Sequence, residues 1–464
     1  MMHLFILKYM VKQSYDTDDT IFALATGSLT SPLAVIRISG NQTIELLAPL
    51  FSRPKALLEG KSHTLVHGFI VDPTSGESVD EVLISLFKDG RGYTGEESVE
   101  ISCHGSQIAI SSIFALLKRS GFREASAGEF TYRAFMNGRM DLTQAEAVHE
   151  IISSQSSKAH HLALNRLQGS LYDLIESIKI RVLSVLGEVE IQLDYAEDDI
   201  IDDVHFPQSE VEAIVEQLSA LIATYSVGRL YSDGAVVVLA GATNVGKSTL
   251  FNLLLKQERS IVTDIHGTTR DFIESKGEIE GIPITFYDTA GLRLSDDVVE
   301  QEGIKRTYQL LDRADVIVLL FDGSVHDETT LQEYHQFLDD KRVIVVTNKS
   351  DIATKEPIKG SIVLSAKKGE GFIQLQKAMI KRLTSHLPTY DEGALIIESQ
   401  RQKEELERAQ EALKQALYLH GENFALDAVA VELQEALHAL GALTGEVSSV
   451  EMLTHMFSQF CVGK

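Results

Sequence analysis

Gly241-Ala242-Thr243-Asn244-Val245-Gly246-Lys247-Ser248 is the string that most restricts what this chain can fold into. The Gly-x-x-x-x-Gly-Lys-Ser pattern lets backbone N–H groups turn inward around phosphate oxygens. It follows the apolar run Val236-Val237-Val238-Leu239 and precedes Thr249-Leu250-Phe251, so strand, loop and helix start come in the required order. Lys247 can reach the β- and γ-phosphates of a nucleotide, and Ser248 can ligate Mg²⁺. Further short apolar runs follow at Val316–Leu320, Val343–Val346 and Ile362–Leu364. Continuous apolar runs of that length mark strands buried on both faces of a mostly parallel sheet with helices between them.

Four more strings stand at strand ends or in a switch position. Asp288-Thr289-Ala290-Gly291 ends the run Ile284–Tyr287, where the Asp can hold Mg²⁺ through water and the Gly can pivot toward a γ-phosphate. Asn348-Lys349-Ser350-Asp351 ends the next strand but one. A carboxylate at Asp351 can accept two hydrogen bonds from the N1–H and amino group of guanine. Adenine lacks that donor pair and would leave a buried Asp351 unpaired, a cost of about 1–3 kcal/mol. Ser365-Ala366-Lys367 can close over the base, and Gly267-Thr268-Thr269-Arg270-Asp271 lies where a switch segment is expected. Together they indicate GTP; an ATPase with a decayed guanine motif is the competing reading.

The rest of the chain reads as two further parts. Residues 1–20 read as a loose extension, and 21 to about 130 as an α+β domain with strands at Ala34–Ile38 and Glu81–Phe87. From about 141, Leu162, Leu167, Leu171, Leu174, Ile178, Val182 and Val185 recur at helical spacing and fall on one helix face. The chain is helical again from 395 to 460, so one helical domain interrupted by the α/β unit is the economical arrangement. The acids Asp194, Glu197, Asp198, Asp199, Asp202 and Asp203 read as a solvated loop, with a metal site as the alternative. A net charge of −25 argues against a general nucleic-acid coat, since phosphate binding needs concentrated Lys and Arg. No stretch is apolar for long enough to span a membrane. Only two cysteines, Cys103 and Cys461, fit a reducing cytoplasm.

Beyond the nucleotide strings stand Asp19-Thr20-Ile21, Ile36–Gly40, Tyr93-Thr94-Gly95-Glu96, Cys103-His104-Gly105, Gly128-Glu129-Phe130, Asp141–Ala147 and the tail Phe460-Cys461-Val462-Gly463-Lys464. On these strings the chain resembles the tRNA modification GTPase MnmE (TrmE) family. The resemblance implies a multidomain α/β protein. The parts would be an extension (1–19), an N-terminal α+β folate-binding and dimerising domain (20–138), a helical domain in two pieces (139–230 and 389–464), and an inserted Ras-like P-loop GTPase domain (231–388) with a mostly parallel sheet. It implies GTP hydrolysis coupled to carboxymethylaminomethyl or aminomethyl modification at carbon 5 of the wobble uridine of tRNA. Its partners would be a second copy and the flavoprotein MnmG (GidA), as a heterotetramer, in the cytoplasm with no membrane association. The one-carbon donor would be 5-formyl-tetrahydrofolate or another tetrahydrofolate.

Carried over residue by residue, the nucleotide contacts fall on Asn244, Val245, Gly246, Lys247, Ser248, Thr249, the segment Thr263, Asp264, Ile265, His266, Gly267, Thr268 and Thr269, then Asp288, Thr289, Ala290, Gly291, Asn348, Lys349, Asp351, Ser365, Ala366 and Lys367. Mg²⁺ falls on Ser248 and Thr269. K⁺ falls on Asn244, Thr263, Ile265 and Thr268, as a cation near the β–γ bridge in place of an arginine finger. Leu292 stands where Ras-like enzymes place a water-orienting Gln, and leucine cannot hydrogen-bond a water. The family's catalytic glutamate matches Glu300. Folate contacts fall on Arg37, Glu100, Arg139 and Lys464, and Cys461 is the candidate nucleophile or acid of the tail, which the apolar stripe Met452, Met456, Phe457 and Phe460 would dock. A stand-alone regulatory GTPase of the ribosome-assembly type is the alternative; the acidic balance and the Cys-bearing tail favour tRNA modification.

Overall fold

The computed structural model describes residues 18–27, 30–195, 206–257, 273–288, 309–325, 334–388, 395–422 and 424–463. They form two compact units. One gathers the residues up to His149 with Arg166–Ile191 and Ala430–Lys464; the other gathers Glu150–Asn165 and Gln192–Val429.

The first unit is built on β1 (Ile21–Leu24), β2 (Ala34–Ser39), β3 (Thr64–Val71), β4 (Ser78–Phe87), β5 (Ser98–Cys103) and β6 (Arg123–Glu124), in sheet order β3-β4-β5-β2-β1-β6. All pairs are antiparallel except β1 with β6. The period of two puts Val82, Ile84 and Leu86 on the face that meets Ile36, Ile38 and Ile101, and helix Gln107–Arg119 covers it with Ile113, Leu116 and Leu117. Each such side chain stabilises the fold by roughly 1.5–3 kcal/mol. Ser106 caps that helix by accepting a hydrogen bond from the Ala109 N–H (3.1 Å), and Lys118 and Arg119 meet the negative end of its dipole.

The expected stripe from Leu162 to Val185 is carried by two helices, not one. Ser157–Leu167 stops before Gly169, whose φ of +94° no helix accepts, and Ser170–Tyr195 starts anew. Leu171, Ile178, Val182 and Val185 are buried as the spacing requires. The final helix Val450–Phe457 begins at Ser449, whose hydroxyl accepts from the Met452 N–H. It docks Leu453, Phe457 and Phe460 against Tyr132, Leu142 and Ala145, with Met452 and Met456 packed at the margin. Asp19 and Thr20, read as the end of the extension, are held by the fold: Thr20 is buried and Asp19 is ion-paired, while residues 1–17 lie outside the described residues.

The second unit contains β7 (Ala235–Gly241), β8 (Ile273–Ile279), β9 (Ile282–Asp288), β10 (Val316–Asp322), β11 (Val343–Asn348) and β12 (Ile362–Val363), in order β12-β11-β10-β7-β9-β8. Only β8–β9 is antiparallel. Val237, Leu239, Phe286, Val318, Leu320 and Val346 face one apolar cluster with Leu250, Leu254, Leu375 and Met379; Val238, Ala240, Ile317, Leu319 and Phe321 face another. Burial on both faces is what the uninterrupted apolar runs require. β7 has β10 on one side and β9 on the other, so the chain order reverses there. The loop leaving β7 opens at the carboxyl ends of the strands, where ligands of open α/β sheets bind. In the same unit, helix Gln208–Ala223 runs along Gln400–Gly421, with Gln410 Nε2 donating to Ser219 Oγ (2.5 Å). The acidic side chains from Asp194 to Asp203 lie outside the described residues. Among those described, no group of three or more His, Cys, Asp or Glu is placed to hold a metal ion.

Candidate functional site

Two glycines shape the loop after β7. Gly241 has a φ of +140°, and a Cβ there would stand 2.4 Å from the Leu320 carbonyl, so only glycine lets the loop depart beside β10. Gly246 has a φ of +98°, and its Cβ would stand 2.3 Å from Asn348 Nδ2. The room it leaves is used: Asn348 Nδ2 donates to the Val245 carbonyl (2.8 Å), and Asn348 Oδ1 accepts from the Ala366 N–H (3.0 Å). One buried amide thereby ties the phosphate loop, the end of β11 and the Ser365–Lys367 loop together. Asn244 also sits in the left-handed region, with its side chain exposed.

Lys247 is 8% exposed and donates to the carbonyls of Gly241 (3.1 Å) and Ala242 (2.8 Å). Burial pushes its pKa down, and the nearby Asp288 carboxylate opposes that shift. Ser248 Oγ donates to Asp288 Oδ2 (2.8 Å). Asp288 Oδ1 is buried without a hydrogen-bond partner among the described residues. A hydroxyl oxygen beside a carboxylate with unused lone pairs is the donor set of a hard cation, so these residues fit Mg²⁺. Thr249, exposed, opens the helix behind them. Thr263, Asp264, Ile265, His266, Gly267, Thr268, Thr269, Thr289, Ala290, Gly291 and Glu300 lie outside the described residues, and with them most of the K⁺ set.

At the other end of the site, Asp351 Oδ1 accepts from Ser365 Oγ (2.8 Å), which holds its carboxyl below the usual carboxylate range. Asp351 is half-buried, not fully enclosed as the argument against adenine assumes. Its orientation comes from Ser365, which is buried with Ala366 while Lys367 is exposed. Lys349 Nζ pairs with Asp322 Oδ2 (2.6 Å), a partner that the sequence reading did not assign. Its only signal was an acid directly after an apolar strand.

A second polar site lies in the first unit. Arg37 on β2 and Glu100 on β5 are direct cross-strand partners, and the guanidinium donates to Glu100 Oε1 through Nε (3.0 Å) and Nη2 (2.9 Å). The same guanidinium lies 4.9 Å from the Tyr93 ring centre and donates to the Gly463 carbonyl (3.3 Å). The tail thus reaches the predicted site. Gly463, at φ +96°, rests so close to β1 that a Cβ would stand 2.3 Å from the Leu24 carbonyl. Cys461 is exposed, and its carbonyl accepts from the Gly128 N–H (3.3 Å). Arg139 is exposed with its stem beside Gly95, on the loop that carries Tyr93. Lys464 lies outside the described residues. A cation, a carboxylate and an aromatic ring suit a folate, whose pterin offers N–H donors and whose tail is anionic.

Beneath this site is a charged network not foreseen as a unit. Arg133, 0% exposed, pairs with Asp19 (2.6 Å), Glu129 (3.1 Å) and Glu96 (3.4 Å). Arg123 pairs with Asp19 and with Glu129 (2.5 Å). Glu129 and Arg133 sit one helical turn apart, which was visible; the other partners are distant in sequence.

Comparison with known proteins agrees with the resemblance. The family model "GTP-binding protein TrmE N-terminus" matches residues 20–139, and "MnmE helical domain" matches residues 142–461. Among curated relatives, the tRNA modification GTPase MnmE of Treponema denticola is 38% identical over 474 residues, covering 97% of this chain and 99% of its own. That of Syntrophus aciditrophicus is 39% identical over 460 residues, with 96% and 99% covered, and that of Flavobacterium johnsoniae is 38% identical over 469 residues, with 96% and 99% covered. With a domain model spanning most of its length and relatives aligned from end to end, the chain belongs to the tRNA modification GTPase MnmE family.

Proposed function

We propose that this chain hydrolyses GTP and that the cycle serves modification of tRNA at carbon 5 of the wobble uridine, adding carboxymethylaminomethyl or aminomethyl groups together with MnmG. The observation that carries the GTP reading is Asn348. It fastens the phosphate loop to the loop whose Ser365 orients Asp351, so phosphate and base recognition form one rigid frame. Lys247 and the loop amides neutralise phosphate charge, and Ser248, with Asp288 behind it, would hold Mg²⁺, which supplies positive charge at the phosphates when bound. Thr269 would complete the Mg²⁺ set. Asn244, Thr263, Ile265 and Thr268 would hold K⁺, and Glu300 would orient the attacking water.

Asp351→Asn exchanges a two-fold acceptor for a group that offers a donor. GTP should then bind about 10²-fold more weakly, and xanthosine triphosphate, which carries a carbonyl where guanine has its amino group, should become a substrate. Hydrolysis assays with GTP, xanthosine triphosphate and ATP decide it. An Asp351→Asn enzyme with unchanged KM for GTP rejects this base assignment.

The same reading places a tetrahydrofolate one-carbon donor on Arg37, Glu100, Arg139 and Lys464, with Cys461 in reach of the one-carbon unit. It takes the domain boundaries, the homodimer and the MnmG heterotetramer of the cytoplasmic family as its frame. Because the Gly463 backbone touches both Leu24 and Arg37, Gly463→Ala should dislodge the tail. Binding of 5-formyl-tetrahydrofolate should weaken roughly tenfold, the scale of one lost charge-assisted hydrogen bond, while GTP turnover stays at the wild-type rate. Equilibrium binding with unaltered affinity would show that the tail contributes nothing there. Analysis of the wobble uridine of tRNA from a deletion strain carrying this chain tests the reaction itself; absence of the modified base removes it.

A further inference from the structure

We infer that Asp322 is a positioning residue for guanine recognition, acting through Lys349. The inference rests on the GTP reading above and adds a residue that no motif contains. Lys349 stands between Asn348, which anchors the frame, and the Asp351 turn. Its φ of +61° is unusual for a residue with a long side chain. That conformation persists only where the surroundings impose it.

Asp322 holds the side chain that this backbone carries. Its Oδ2 takes the Lys349 ammonium at 2.6 Å, with the carboxylate largely buried. Its Oδ1 accepts from the Ser324 N–H (2.9 Å) and Ser324 Oγ (2.6 Å), so the carboxylate cannot rotate to follow a moving lysine. The turn that carries it is fastened to the same place. Asp322 and Asn348 are register partners of β10 and β11, and the Gly323 N–H donates to the Asn348 carbonyl (2.8 Å). A Cβ at Gly323 would approach that carbonyl to 2.9 Å, so the residue there must be small. Burial acts to raise the Asp322 pKa, but the hydrogen bonds from Lys349 and Ser324 hold it below the ordinary range, so the carboxylate is charged at neutral pH.

The consequence is chemical. With its ammonium fixed to Asp322, Lys349 presents its four-carbon stem, not its charge, to a flat heterocycle held by Asp351. The stem supplies apolar cover for one ring face, and the ion pair keeps a free cation from competing for the Asp351 carboxylate. Without the Asp322 charge, the ammonium returns to water and the stem leaves with it. Affinity for the base then falls, while the phosphate end, where bonds break, is untouched.

The test uses the full chain with Mg²⁺ and measures GDP binding and steady-state GTP hydrolysis. Asp322→Asn should raise the GDP Kd and the KM for GTP roughly tenfold, the scale of one charge-assisted hydrogen bond, with kcat within about twofold of wild type. Asp322→Glu should recover part of the loss, because the charge remains and only its reach changes. In a Lys349→Met background, where no ammonium remains to hold, Asp322→Asn should cost no further affinity. An Asp322→Asn enzyme with wild-type Kd overturns the proposal. So does an equal loss in the Lys349→Met background, which would assign Asp322 a merely structural role. If the wild-type chain binds no guanine nucleotide, it is the GTP reading that fails, and the two failures are distinguishable.

Discussion

Ser248→Ala is expected to lower kcat/KM for GTP by about 10²–10³-fold, with most of the loss persisting at saturating Mg²⁺. The hydroxyl does two things in the structure. It donates to Asp288 Oδ2, and its oxygen stands beside a carboxylate whose other oxygen has no hydrogen-bond partner among the described residues, the donor set proposed for Mg²⁺. Removing it leaves Asp288, 8% exposed, without that hydrogen bond at Oδ2, and would remove one ligand of the proposed ion. A buried carboxylate deprived of its hydrogen-bond donor is expected to shift, which would spoil the proposed metal site. Ser248→Thr keeps the hydroxyl at the same place and should retain turnover within a few-fold of wild type. The measurement is initial rate against Mg²⁺ concentration for the three proteins. An alanine enzyme that reaches the wild-type rate once Mg²⁺ is raised would show that Ser248 sets metal affinity alone. One that matches wild type at every concentration would remove Ser248 from the site.

The difference between what could and could not be read in advance follows the range of the interactions. Gly241–Ser248, the apolar strands and the strings at their ends are local patterns, and the mostly parallel sheet they implied is found. The alternation in β4 and the helical stripe of Ser170–Tyr195 are local as well. What escaped was long-range. Nothing near Asn348 in the sequence says that its amide will cross to Val245, and the requirement for Gly246 becomes intelligible only when Asn348 is seen where a Cβ would stand. Asp322 and Lys349 are joined only because β10 and β11 are neighbours in register. The break at Gly169 was misjudged because apolar spacing continues through it, although a glycine there is a local warning. Asp19 was assigned to a loose extension because an acid before a strand normally meets water. Its two arginine partners lie more than a hundred positions away in the chain.

That misassigned aspartate belongs to the network with the largest expected effect on stability. Arg133→Met should destabilise the first unit by about 3–5 kcal/mol, the usual consequence of removing one partner from a buried ion pair. Met fills much of the volume, so the loss reports charge and hydrogen bonding more than a cavity. Arg133 is 0% exposed and donates to Asp19 Oδ1 (2.6 Å), the Asp19 carbonyl (2.8 Å) and Glu129 Oε1 (3.1 Å). Without it, Glu129, itself fully buried, keeps Arg123 as its ion-pair partner among the described residues and the Ser126 N–H as a donor, and the start of β1 loses its tie to helix Glu129–Met136. Lysine cannot span the same acceptors, so Arg133→Lys should recover little. The effect also has a pH signature. Burial acts to raise the pKa of Asp19, but hydrogen bonds from Arg123 and Arg133, with their charges, bring it below the ordinary value of 3.8. A carboxylate with a depressed folded pKa contributes stability that is fully present above its unfolded value and is lost as pH falls through the folded one. The stability gap between wild type and Arg133→Met should therefore be constant near neutrality and shrink as pH falls below about 4. Urea unfolding followed in the first unit, at neutral and acid pH, measures both quantities. GDP affinity should be unchanged, because every described residue of the proposed nucleotide site lies in the other unit. A gap below about 1 kcal/mol at neutral pH, the range of an exposed pair, would mean that the network is solvated in solution. A gap that does not narrow in acid would mean that Asp19 is not its anchor.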